Sequence, residues 1–197
     1  MIVTGKILPI VEGQSEEEGV PVLLRRLLHH LEFYEVQVAL PWRVSRTRML
    51  RPGEIERAIA LGMRERGEVT AVLVILDADD DDTGTIEMAL LERCHKTIRL
   101  PIGVVVARRE LEAWFLGSKD SLRGVRGIRA TANAPDQPEE IRGAKERLSR
   151  NMEGGRVYNA VYDQPAFAAR MDLDLAFQRC SSFRRLVSEV KRILVAT

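Results

Sequence analysis

The chain has 197 residues, of which 45% are hydrophobic and 30% charged, and its 30 Lys and Arg against 29 Asp and Glu leave a formal net charge of only +1. This length suits one large domain or a core with an appendage, and the composition excludes a disordered or low-complexity protein. The near-neutral balance excludes a generally cationic nucleic-acid coat, so any contact with a polyanion has to come from local clustering.

The first predicted element is a short buried strand over Lys6–Val11, followed by a turn at Glu12, Gly13 and Gln14. Ser15 and Glu18 have the spacing of a capping box, so a helix is expected from Ser15, with Val22, Leu23, Leu27, Leu28 and Leu31 as its apolar stripe. A second strand is expected within Tyr34–Val44, and a helix over Gly53–Arg66 with Ile55, Ile59 and Met63 on one face. The third strand, Val69–Leu76, carries the strongest pattern in the chain, an unbroken apolar, β-branched run. A helix over Thr85–Cys94 and a fourth strand over Ile102–Ala107 complete an alternation that predicts an α/β fold with a mostly parallel sheet covered on both faces.

After Ala107 the pattern turns to helices and loops. Leu111, Trp114 and Phe115 make a helical apolar face, and Ser118–Pro138, rich in Gly, Pro, Arg and Asn, predicts a long surface loop. Helical patterns follow over Glu139–Ser149, Pro165–Arg179 and Phe183–Leu194. The expected organisation is an α/β core over 1–117 and a loop and helical extension over 118–197 packed on the same domain. Cys94 and Cys180 are too few for a zinc knuckle or a secreted disulfide framework, and no stretch approaches the ~20 apolar residues that span a bilayer. A reducing cytoplasm is the simplest compartment, with no membrane association.

Chemistry concentrates where the strands end. The third strand runs into Asp77, Asp79, Asp80, Asp81 and Asp82, and like charges that close oppose each other's ionisation unless solvent or a cation neutralises them. In open α/β sheets the functional crevice lies beyond the C-terminal strand ends. Glu12 follows the first strand, Asp77 and Asp79 the third, and Glu110 the fourth. If the first and third strands are neighbours, these acids converge on an oxygen-rich site suited to a hard divalent cation. Each residue has an ordinary reading as well. The aspartates would also serve as a solvated turn, Glu16 as an acid favoured at a helix N-terminus, and Glu110 as a cap for the helix bearing Trp114. Glu112 lies further from the strand end than Glu110 and is the weaker candidate, while Asp80, Asp81 and Asp82 suit solvent or supporting positions.

Val11-Glu12-Gly13 after the first strand, followed by Asp77-Ala78-Asp79 after a later hydrophobic strand, resembles the Toprim arrangement of topoisomerases, primases and OLD-type nucleases. The spacing from Glu12 to Glu16 is most similar to the OLD-type version. The wider set of Val11-Glu12-Gly13, the Asp77 cluster, Glu110-Leu111-Glu112-Ala113-Trp114 and Ser181-Ser182-Phe183 resembles an uncharacterised bacterial family with a Toprim-like (Rossmann-like) core. The resemblance implies Glu12 as general acid/base and metal neighbour, Asp77 and Asp79 as metal ligands, Glu16 as an added ligand and Mg²⁺ or Mn²⁺ as cofactor. It implies phosphodiester hydrolysis on nucleic acid, DNA first, with a place in phage defence beside a separate ATPase, since the chain has no GxxxxGK[ST] phosphate loop.

A nuclease also needs phosphate contacts. Arg43 and Arg46, in a cluster with Arg48 and Arg51 beside Trp42, and Arg108 and Arg109 near the crevice are the candidates, against an ordinary charged surface. Arg123, Arg126 and Arg129 share that ambiguity, and His29, His30 and His95 lack metal-ligand spacing. Two other functions fit part of the pattern. A DxD glycosyltransferase explains Asp77 and Asp79 but not Glu12-Gly13, and a noncatalytic Toprim-like module would regulate or scaffold a partner. Self-association is compatible with all three.

Overall fold

In the computed structural model, which describes residues 3–195, the strands are β1 (Gly5–Val11), β2 (Val36–Val38), β3 (Trp42–Arg43), β4 (Ala71–Asp77) and β5 (Ile102–Ala107). Every strand pairing is parallel, and the order is β2-β1-β4-β5, with β3 also paired to β1. The predicted strand within Tyr34–Val44 is thus two short pieces. β2 runs beside Gly5–Ile7 and β3 beside Ile10–Val11, separated at Ala39-Leu40-Pro41. Pro41 has no N–H to give to a ladder, which fits a break at this edge.

Alternation along the strands sends side chains to two apolar layers. Ile7, Val11, Leu73, Ile75, Val105 and Ala107 face one layer, and Leu8, Ile10, Val72, Val74, Leu76, Val104 and Val106 the other. The second layer is closed by Ile55, Ala58 and Ile59 of α3 (Glu54–Arg66) and by Ile86, Leu90 and Cys94 of α4 (Thr83–Thr97), beyond the single-turn α2 (Arg46–Met49). The first layer is closed by α1 (Gln14–His30) and by the α-helices that follow β5: α5 (Glu112–Gly117), α6 (Ala144–Ser149), α7 (Ala160–Ala168), α8 (Leu173–Arg179) and α9 (Ser181–Val195). On α9, Phe183, Leu186, Val187, Val190, Ile193 and Leu194 are buried, each contributing about 2 kcal/mol of burial before entropy is counted.

Several boundaries depart from the sequence pattern for local reasons. α1 starts at Gln14 with Gly13 as an extended N-cap and no side-chain cap. Ser15 therefore lies inside the first turn, where its hydroxyl bonds the Glu16 carboxylate at 3.1 Å, and the capping box does not form. The helix expected over Pro165–Arg179 is broken before Asp172, whose carboxylate accepts from Asp174 and Leu175 N–H groups and starts α8. Of the helix expected over Glu139–Ser149, only Ala144–Ser149 is α-helical, entered from a left-handed Gly143. The segment over Ser118–Pro138 is not a loose surface loop. Leu122, Ile128 and Ala132 reach the core, and short 3₁₀ turns over Lys119–Leu122 and Val125–Gly127 carry the chain between them. No helix among the described residues is long and apolar enough to cross a membrane.

Candidate acidic site at the strand ends

β1 and β4 are neighbours, so the acids that follow them meet. The Asp77 N–H points to Glu12 Oε2 at 3.4 Å, a long contact that joins the two strand ends directly. Beyond Asp77 the pairing of β4 with β5 continues: Ala78 N–H donates to Ala107 O at 2.9 Å and Asp79 N–H to Arg109 O at 3.0 Å. Both Asp79 (φ 53°) and Arg109 (φ 63°) are left-handed, a conformation that costs a residue with a Cβ about 1 kcal/mol and that clusters at functional turns. The turn at Arg109 reverses the chain into α5, and Asp77 Oδ1 fixes that reversal by accepting from Leu111 N–H at 2.8 Å.

Glu16, in the first turn of α1, reaches the same place. Its Oε1 accepts from Gln164 Nε2 at 3.3 Å, and its charge opposes ionisation of Glu12, Asp77 and Glu112. Burial raises the Glu12 carboxyl above its ordinary pKa; the Asp77 amide pulls the other way, and repulsion from Asp79 and Glu16 adds to the rise. Asp77 is held well above the carboxylate range, by burial first and then by Glu112. Glu12, Glu16, Asp77 and Asp79 thus share one electrostatic site.

Glu110 has a different place from the one its position after β5 implies. Its Oε1 accepts from Ala144 N–H at 2.9 Å and its Oε2 from Lys145 Nζ at 3.0 Å, so it caps α6 rather than α5. Glu112, the weaker candidate by sequence, is the fully buried one, with Tyr158 Oη donating to its Oε1 at 3.2 Å and Lys145 Nζ 3.2 Å from its Oε2. Its pKa is raised by burial and pulled back by Lys145. Lys145 was not singled out by sequence and could hardly be: it lies 33 residues beyond Glu112 on a short helix whose charges read as solvated. A signal for Glu112 did exist, a carboxylate directly before the apolar run Ala113-Trp114-Phe115-Leu116.

The arginines expected to hold phosphate are engaged within the protein. Arg46 Nε donates to Asp77 O at 3.0 Å and its Nη2 to Ala78 O at 3.2 Å, and the same group pairs with Asp81. Arg109 pairs with Asp80 at 2.7 Å, Arg108 with Glu140 at 2.5 Å and Arg43 with Glu17 at 3.2 Å. Arg126 bridges to the buried Asp163, and Arg123 to Asp120 and Asn133. Asp80 is held below the usual carboxylate range by Arg142 and Arg109, while Asp82 caps α4 through Thr85.

As placed, no three or more His, Cys, Asp or Glu side chains among the described residues are close enough to hold a metal ion. The donor chemistry nonetheless suits a hard cation. Mg²⁺ commonly takes one or two protein carboxylates and completes its shell with water and substrate phosphate, and Glu12 and Asp77, joined at the strand ends, are oxygen donors of that kind.

Comparison with known proteins places this geometry in a fold. The chain is similar over 97% of its length, and over 98% of the other, to the C-terminal region of the Burkholderia pseudomallei OLD protein, with 17% identity and a TM-score of 0.51. It is similar over 100% of its length and 98% of the other to the C-terminal region of the Xanthomonas campestris pv. campestris OLD protein, with 13% identity and a TM-score of 0.50. At these identities the likeness is one of fold. No curated protein shows significant sequence similarity to the chain. Residues 11–191 match the domain of unknown function DUF4276, a span that runs from the end of β1, before Glu12, into α9 past the buried Val190, and the chain belongs to that family.

Proposed function

We propose that the chain is a metal-dependent nucleic-acid phosphodiesterase, a nuclease with a Toprim-type site. The observation that carries this reading is the meeting of Glu12 with Asp77 at the ends of adjacent parallel strands, with Glu16 and Asp79 in the same field, inside a fold shared with the C-terminal region of OLD proteins. Glu12, Glu16, Asp77 and Asp79 would hold Mg²⁺ or Mn²⁺ once their side chains draw together, since as placed no three of them are close enough. When bound, such an ion supplies positive charge to a phosphate and lowers the pKa of a water. Glu12 is the general base of this reading, and in the metal-free protein burial raises its pKa above the ordinary carboxylate value. Asp77 keeps its Oδ1 tied to Leu111 N–H, which fixes the carboxylate's orientation toward the crevice. Lys145 pairs with both Glu110 and Glu112, and its charge also favours ionisation of Asp77.

DNA is the first substrate to test, and a separate ATPase with a role in phage defence is the partner this reading implies. One observation favours a noncatalytic, partner-regulating module instead: Arg46, Arg109, Arg142 and Lys145 already neutralise much of the acidic loop. A nucleotide-sugar transferase leaves the contact between Glu12 and Asp77 without a purpose. Incubation of the purified protein with supercoiled DNA, linear DNA and RNA in Mg²⁺ or Mn²⁺ separates these readings. Cleavage that is lost in Glu12→Gln and Asp77→Asn supports the nuclease; cleavage retained in both variants overturns the assignment.

A further inference from the structure

Three adjoining clefts open along one side of the strand ends, and Arg142 lines all three. The middle one, of about 340 Å³, contains Asp77, Asp79, Glu110 and Lys145 and belongs to the acidic site. The cleft of about 390 Å³ on one side is the Asp79–Thr83 turn with Arg108 and Arg109. The cleft of about 590 Å³ on the other is different in character: Arg142, Arg147 and Arg150 line it with a single acid, Glu146.

We infer that this third cleft, with Arg142, Arg147 and Arg150, is the binding surface for the phosphodiester backbone of the nucleic acid whose scissile bond lies in the acidic site. The inference rests on the nuclease reading and supplies what the other arginines lack. Arg43, Arg46, Arg108 and Arg109 are each tied to an acid or a carbonyl. Arg147 and Arg150 are exposed, and among the described residues their guanidinium groups make neither a hydrogen bond nor an ion pair. Arg142 is shared between Asp80 and this cleft, so a phosphate can reach it from the third cleft without leaving the surface.

Among the described residues no acid pairs with Arg147 or Arg150. Lys119, buried nearby, donates from its ammonium to Asn151 Oδ1 at 3.3 Å, and Asn151 in turn donates to the Arg147 carbonyl at 2.6 Å. Arg147 lies close enough to oppose the charge on Lys119. In a chain of net charge +1, a cleft with three arginines and one acid is a local excess. Planar guanidinium forks suit the paired oxygens of phosphates. A substrate lying across an acidic site also needs such an anchor beside it, because the carboxylates repel the phosphates they act on.

The test is binding of labelled single-stranded DNA, duplex DNA and RNA oligonucleotides across a salt series, without divalent cation so that nothing is cut. For Arg147→Ala/Arg150→Ala we expect affinity to fall about tenfold and the slope of log affinity against log salt to become shallower by about two for duplex DNA. Arg147→Lys/Arg150→Lys should recover most of that slope. Both arginines are exposed, so a matching thermal midpoint verifies that the variants are folded. Undiminished binding by the alanine pair overturns this surface while leaving the nuclease reading intact. Binding of none of the three nucleic acids by the parent protein also overturns this surface, and the nuclease reading then stands or falls on the cleavage assay in Mg²⁺ or Mn²⁺.

Discussion

Asp79 and Arg109 are joined across the ends of β4 and β5 by a hydrogen bond of 3.0 Å from Asp79 N–H to Arg109 O, and both hold left-handed backbone angles. Neither residue is glycine, so the protein keeps a side chain at each despite the conformational cost. At Asp79 the side chain kept is a carboxylate whose charge opposes ionisation of Glu12. Asp79→Gly should therefore raise stability by about 1 kcal/mol in chemical denaturation while lowering any metal-dependent activity by at least tenfold. Asp79→Asn, which tolerates the same backbone, should lose activity with little change in stability. Equal activity in all three proteins would remove Asp79 from the site.

Glu12 and Asp77 set a pH dependence of stability whose sign follows from their raised native pKa values. Their ordinary values are 4.5 and 3.8. Below these values both states carry the protons and the groups contribute nothing. As pH rises from there through the raised native values, the unfolded chain releases its protons first and the native state loses stability; above the native values the loss is complete. Glu12→Gln and Asp77→Asn should accordingly melt higher than the parent at neutral pH, with the difference closing toward the ordinary carboxylate values. Mg²⁺ or Mn²⁺ should raise the thermal midpoint of the parent and leave that of Asp77→Asn nearly unmoved. A divalent shift of equal size in both would place any metal elsewhere.

The convergence of Glu12 and Asp77 was legible because period-two apolar runs locate strand ends, and strand ends are where α/β proteins put their chemistry. The parallel sheet followed from the same runs. Glu110, Glu112 and Lys145 were not sortable that way. Which carboxylate faces the crevice depends on how the turn at Arg109 aims α5 and on where α6 arrives, both tertiary matters. The arginines were not sortable for a related reason. Arg46 and Arg147 look alike in sequence, and only the fold reveals that the first is fastened to β4 and the second is open. Pairing of Ser15 with Glu18 failed more simply, since Gly13 starts the helix two residues earlier.

Lys145 sits between Glu110 and Glu112, and burial of the Glu112 carboxyl makes its counter-charge matter. Lys145→Met removes that charge and keeps much of the stem. Because Lys145 remains half-open to solvent, a cost of about 2 kcal/mol is expected, below the usual range for breaking a fully buried pair. The cost should be larger at pH 8 than at pH 5, because protonation of Glu112 relieves the unpaired charge. A cost independent of pH would mean that Lys145 contributes packing rather than charge.

The Ser181-Ser182-Phe183 motif proves to be a structural fastening rather than a part of the acidic site. Glu139 accepts from the Ser181 N–H and Oγ, both at 2.6 Å, and from the Ser182 N–H at 2.9 Å and Oγ at 2.5 Å. Ser182 Oγ in turn accepts from Trp114 Nε1 at 2.8 Å, and the Trp114 ring meets Phe183 edge-on at 5.4 Å. One buried carboxylate thereby satisfies two N-terminal amides of α9, complements the positive end of that helix and orients the indole of α5. Glu139→Ala leaves those donors buried without an acceptor and should cost about 3 kcal/mol, whereas Ser182→Ala, which strands chiefly the indole N–H, should cost about 1.5 kcal/mol. Because α5 also carries Glu112, the Trp114 fluorescence of Glu139→Ala should report a loosened indole before global unfolding. A Glu139→Ala protein as stable as the parent would show that water takes over these donors and that the fastening contributes nothing to the fold.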